Sequence, residues 1–337
     1  MENKKPNPLI AFFKKRWFSL LVTCVGVGGV LYYLVKYAGE LKRLEQLSFL
    51  QIIVLSMLVL ALQGTSALTM FFTVRLFDVK MGYFDALSIN SSSSLINVIP
   101  MGALSFRAVY LKKIHDMRLL NYGLTVFVTL AVVFIVGGVL GIIGSAMLPA
   151  KNGEYSLLVT GFAAYILITL LAVGAFKWLR DRKVKKGAEF RLPFKGKLGE
   201  IIHSVIDGFD TLAAHPKAIA GMFLSGTANQ LIQSTKISLV GQWLGYPIGF
   251  SGGLVLNGIS LLVSALPIPN NTLGLKELFT GFGANILGLG TAGGVIIASV
   301  DRVMTLAWNI VIGGICLLLV RRKIAAAEKQ EPASGEK

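Results

Sequence analysis

Five charged residues stand in stretches that are otherwise apolar: Arg107, Lys236, Glu277, Asp301 and Arg302. Charges at membrane depth are rare and by default mark a pathway or a partner. Arg302, Thr305 and Asn309 recur at i, i+3 and i+7, and Asn229, Gln233 and Lys236 at i, i+4 and i+7, so each set shares one helix face. Cations surrounded by amides and hydroxyls are chemistry for holding a phosphate or another anion. A carboxylate among them offsets charge or pairs with an amine. A buried, unpaired guanidinium is costly, so Arg302 needs a partner, and Glu277 is the best-placed acid. The plainer alternatives are a Glu277–Arg302 bridge that only fixes one segment against another, a Lys236 that snorkels to an interface, and amides that merely bond between helices.

Covalent chemistry finds no support. No nucleophile–base constellation, metal-ligand spacing or phosphate-cradling glycine loop is present. His115, His203 and His215 are scattered at polar flanks, and Cys24 and Cys316 fall inside apolar segments. The expectation is a protein that is not an enzyme and uses no metal and no cofactor.

The elements that must position these residues are membrane helices. The chain is 54% hydrophobic and only 15% charged, against about 25% charged in average soluble domains. The net charge of +16 does not point to nucleic acid, because the basic residues cluster at the ends of apolar segments, where they set topology and meet anionic lipid. The fold expected is an all-α polytopic membrane protein with about six full spans, near residues 17–35, 49–72, 122–148, 155–179, 218–246 and 294–320. A basic tail (1–16) precedes one membrane domain (17–320), which carries a basic loop at 177–216 with an amphipathic surface helix over 198–213. Residues 321–337 form a polar tail expected to be disordered. The basic flanks put both termini in the cytoplasm and the protein in the cytoplasmic membrane. In the second span Gln63, Ser66, Met70 and Thr73 share an inward face, whereas the 122–148 span is apolar nearly all round and suggests no site.

Two stretches break this pattern: Asn90–Arg107 (NSSSSLINVIPMGALSFR) and Asn257–Glu277 (NGISLLVSALPIPNNTLGLKE). Broken backbone at membrane depth survives only where protein or a wet cavity satisfies it. Each stretch therefore reads as a re-entrant or broken-helix hairpin, over about 84–113 and 250–290; a short amphipathic segment on the membrane surface is the alternative. SLINVIPMGALSFR and SLLVSALPIPNNTLGLKE both run from Ser-Leu through an apolar run to a proline, a polar turn and a charge, with a small insertion in the second. Counting spans places the hairpins on opposite faces, the signature of an inverted repeat with a site between its halves. Ser93, Asn97, Asn270 and Asn271 would supply neutral hydrogen bonds there.

With SFRAVYLKK after the first break, PIPNNTLGLKE after the second and an Asp-Arg pair in the final span, the sequence resembles the transmembrane-domain family of lysylphosphatidylglycerol synthases. The resemblance implies a flippase-like membrane domain without the soluble aminoacyltransferase domain of full-length relatives. It leaves the substrate open. Expected partners are membrane lipids, an anionic phospholipid or a lipid-linked substrate, and not nucleic acid; self-association is left open. A secondary transporter of a small anionic solute and a membrane scaffold for a partner enzyme, docked through the basic loop, are the competing expectations.

Overall fold

Lipid cannot satisfy backbone N–H and C=O groups, so a spanning segment must bond within itself, and this chain does so as helix. The computed structural model describes residues 45, 47–97, 102–148, 154–186, 214–264 and 275–330; among these are helices and no strand. The order is α1 (Phe49–Arg75), α2 (Tyr83–Ile96), α3 (Gly102–His115), α4 (Leu119–Ala146), α5 (Glu154–Lys186), α6 (Pro216–Trp243), α7 (Phe250–Ser264), α8 (Leu275–Ile286) and α9 (Thr291–Gln330).

Length separates two classes. α1, α4, α5, α6 and α9 have 27, 28, 33, 28 and 40 residues, about 40 Å or more at 1.5 Å per residue, enough to cross a hydrocarbon core of about 30 Å. All but α6 are also apolar enough to be recognised as spans by composition. The expected first span, 17–35, lies outside the described residues. The other four helices have 14, 14, 15 and 12 residues. At about 18–22 Å none can cross alone. They form two hairpins, α2–α3 and α7–α8, whose breaks at 98–101 and 265–274 lie outside the described residues.

Both hairpins dock on α9, from opposite ends. Asp85 near the start of α2 pairs with Lys323 near the end of α9. A Cβ on Gly313 would sit 2.8 Å from the Ser91 carbonyl oxygen and from Leu95 Cβ, which measures how closely α2 and α9 approach. At the other end, Gly281 faces Thr291 and Val295, and Gly294 faces Thr280 and Ala284. Small residues that let backbones approach closely are how helices associate where lipid removes the hydrophobic drive.

The sequence long, short, short, long occurs twice, as α1–α4 and as α6–α9. α1 and α6 pack antiparallel: Thr69 meets Ser225, while Asn229 meets Thr65. α7 lies along α4, with Gly137 against Leu261 and Gly144 against Leu254, as α2 lies along α9. A buried Gln–Asn bond is duplicated too. Gln63 accepts from Asn90 at 3.3 Å and Gln230 accepts from Asn257 at 2.8 Å, with the partners 27 positions apart in each case. Three positions past each Asn stands a serine, Ser93 or Ser260, and ten past it a proline, Pro100 or Pro267. The match of the two stretches is thus one residue off the alignment expected from Ser94 and Ser260, and it needs no insertion before the proline.

Two expected boundaries shift. α5 continues to Lys186, so the first part of the expected 177–216 loop is helical; its Lys and Arg residues are good helix formers. α9 continues to Gln330 through Lys323-Ile-Ala-Ala-Ala-Glu, where the alanine run sustains helix into a stretch expected to be disordered. The basic stretch 187–213 and residues 331–337 lie outside the described residues.

Candidate functional site

Helices α1, α4, α6 and α9 and the first hairpin line a cavity of about 470 Å³, within the range of small-molecule sites. Gln63, Ser66, Met70 and Thr73 of α1 form one wall and Asn229, Gln233 and Lys236 of α6 another. Thr305 and Asn309 of α9 and Asn90, Ser94 and Arg107 of the hairpin complete the polar interior. The face predicted on α1 is therefore the cavity face.

The hairpin serines are accommodated by back-bonding. Ser92, Ser93 and Ser94 donate to the carbonyls four residues earlier at 2.7, 2.7 and 3.0 Å, which satisfies hydroxyls that lipid could not. Ser93 is then preset as an acceptor: Arg107 Nε donates to its Oγ at 2.6 Å, and Arg107 Nη2 donates to Asn90 Oδ1 at 2.8 Å. Both of these acceptors are neutral.

From Arg107 a run of polar contacts crosses the interior. Asn90 donates to Gln63, and Gln63 Nε2 donates to Asn309 Oδ1 at 2.5 Å. One helical turn away, Thr305 accepts from Lys236 Nζ at 3.0 Å. Lys236 pairs with Asp301 at 2.9 Å, and Gln233 Nε2 lies 3.2 Å from both Asp301 oxygens. Lys236 does not snorkel; its side chain is 1% exposed.

The predicted residues divide. Arg107, Lys236, Asn229, Gln233 and Asn309 line one cavity, and Ser93 holds Arg107 from behind. Asn229 also staples α6 to α1, donating to the Leu62 carbonyl and to Thr65 and Ser66 at 3.1, 2.8 and 3.0 Å. Glu277 and Arg302 form the expected pair, at 2.5 Å with side chains 5% and 12% exposed. The pair joins α8 to α9 and is not part of the cavity lining, because Arg302 stands at the edge of the Asp301–Thr305–Asn309 row and turns to the second hairpin. Asn97 is exposed at the C-cap of α2, where the helix has ended. Asn270 and Asn271 lie outside the described residues.

Two contributors and one partnership escaped the sequence reading. Asn90 is the hub between Arg107 and Gln63, and its signal was the spacing it shares with Asn257. Asp301 stands out in the sequence as an intramembrane charge, but its pairing with Lys236 is obscured by its place beside Arg302. The α4 span, expected to carry no site, supplies Tyr122, Thr125 and Thr129 to the lining; the hydroxyls at i and i+4 were the signal. α4 also gives the cavity an apolar flank with α3, where Leu104 and Leu130 are 41% and 44% exposed.

Among the described residues no group of His, Cys, Asp and Glu is arranged to hold a metal ion. Residues 16–314 match the family model described as the lysylphosphatidylglycerol synthase TM region. Comparison with curated proteins and with solved structures gives no match.

Proposed function

The chain belongs to the lysylphosphatidylglycerol synthase transmembrane-region family, and from that premise we propose that it carries a phospholipid or other anionic lipid head group between leaflets. The observation that carries this reading is the make-up of the cavity. Its interior is amide, hydroxyl and cation, while its α3–α4 flank is Leu104, Leu130, Val126 and Val133. A head group fits the first and acyl chains the second. A water-soluble anion has no use for the apolar flank.

The duplicated helix order, the duplicated Gln–Asn bond and the antiparallel α1–α6 contact support an inverted repeat, the architecture in which transporters hold a midplane site between two halves. In this reading the two halves exchange roles as the head group passes. The basic flanks support a cytoplasmic-membrane protein with both ends of the chain in the cytoplasm; the Arg321–Lys323 end of α9 and the open end of the first hairpin then face inward. Membrane lipid is the partner, and the reading assigns the chain no covalent chemistry.

The test is reconstitution in liposomes with head-group-labelled phosphatidylglycerol, its lysyl form and a polyprenyl phosphate. Exchange of at least one lipid between leaflets, lost in Arg107→Ala at equal insertion, is expected. No exchange of any of them by correctly folded and oriented protein would overturn the proposal.

A further inference from the structure

The electrostatics of the cavity determine which head groups it accepts, an inference that rests on the translocase reading and refines it. Two cations line the space, Arg107 and Lys236, and no carboxylate does so among the described lining residues. They are not equivalent. Lys236 is held against Asp301 at 2.9 Å with Thr305 as a further partner, so it carries its counter-charge with it. Arg107 is held by Ser93 and Asn90, which orient the guanidinium but neutralise nothing.

The other acid near the cavity's outer wall, Glu277, is engaged by Arg302 at 2.5 Å on the far side of α9's polar row. Asp85 is likewise engaged, by Lys323 and by the Tyr110 hydroxyl. Around the space, then, each of these acids is matched to a cation, Lys276 is a further cation acting on Asp301, and Arg107 adds a positive charge that no carboxylate of the described lining faces. Two of the lining amide oxygens are already engaged, and those of Asn229 and Gln233 are neutral acceptors that carry no counter-charge for an ammonium. Gln63 Oε1 takes the Asn90 bond and Asn309 Oδ1 takes the Gln63 bond.

We propose that this cavity selects lipids whose head group carries a net negative charge, with a single phosphate read by Arg107, and discriminates against head groups made cationic by aminoacylation. A phosphate oxygen can accept from guanidinium N–H groups in the bidentate manner that arginine favours. An added lysyl group would carry its ammonium groups into a space with a fixed positive charge and no carboxylate among its described lining residues. Like-charge juxtaposition of this kind is how binding sites reject wrong partners.

The experiment uses the full chain in nanodiscs of phosphatidylcholine and measures binding of short-chain phosphatidylglycerol, its lysyl form and free glycerol phosphate. The expected order is phosphatidylglycerol at least about tenfold tighter than the lysyl form, a difference of about 1.4 kcal/mol. Selectivity is read on the unmodified protein, so it does not depend on any variant folding. Arg107→Lys should keep the order and Arg107→Gln should abolish it. Equal or tighter binding of the lysyl form by the unmodified protein would overturn the inference and leave the translocase reading in place. Glycerol phosphate binding as tightly as the lipid would instead overturn the translocase reading, while the preference for anions stood.

Discussion

Replacing Lys236 with methionine tests whether the buried pair is a structural unit of the cavity wall. The two side chains are 1% and 7% exposed and 2.9 Å apart. Removing one member of such a pair strands the other charge and costs about 3–5 kcal/mol. Gln233 keeps its contacts to both carboxylate oxygens, and Lys276 is a second cation acting on Asp301. The lower end, about 3 kcal/mol, is therefore expected. Combining Lys236→Met with Asp301→Leu removes both the charge and its desolvation. Apolar replacement of a buried pair is often neutral or better, so the double variant should return to within about 1 kcal/mol of the parent. Reversible unfolding in mixed detergent micelles, run on all four corners of the cycle, measures the coupling. A loss below about 1 kcal/mol for the single variant, or a double variant as unstable as the two singles added together, would refute the reasoning.

Three further outcomes are expected. A Cβ on Gly294 would lie 2.5 Å from the Thr280 carbonyl oxygen and 2.7 Å from Gly281 Cα, so Gly294→Ala should cost about 1–3 kcal/mol by overpacking; Gly314→Ala, with nothing within 4 Å of its Cβ, should be neutral or slightly stabilising, and the same unfolding assay compares them. At the polar end of α3, burial holds the His115 pKa below its ordinary 6.5, with Asp85 raising it and Lys323 lowering it. The unfolded chain then takes up a proton that the folded chain refuses, so stability falls as pH drops through 6.5 towards the folded value and levels below it; His115→Phe should flatten that slope between pH 8 and pH 5. Finally, single cysteines at Arg118→Cys and Ala292→Cys, in a chain lacking Cys24 and Cys316, should react with an impermeant reagent from opposite faces of the membrane; labelling from one face would refute the opposed hairpins.

The hairpins were legible because their composition argues against an ordinary lipid-facing span: four consecutive serines and a proline in the first, two prolines and two adjacent asparagines in the second. The α1 face was legible for the same reason, since Gln63, Ser66 and Thr73 fall at helical spacing among leucines. Partnership was only partly legible. Charge alone joined Arg302 to Glu277, but Asp301 lies one residue away from Arg302 and its bond to Lys236 depends on how α6 sits against α9, which periodicity does not carry. The role of α4 was hidden because Thr125 and Thr129 are too weakly polar to disturb an apolar run. The duplicated Gln–Asn bond was in plain view as an equal spacing, yet serine and leucine runs offered a competing register that only the helix packing resolves.

One continuous helix bears both hairpins. Between Arg302, where α9 meets the second hairpin, and Asn309, which faces the cavity, it contains no glycine or proline, the residues that most often let a helix kink. This section of α9 behaves as a stiff strut. A shift of this section along its axis would change the register of both sets of small-residue contacts at once, at Gly313 against the first hairpin and at Gly294 against the second. If the hairpins do couple through it, the coupling free energy is the same measured from either one.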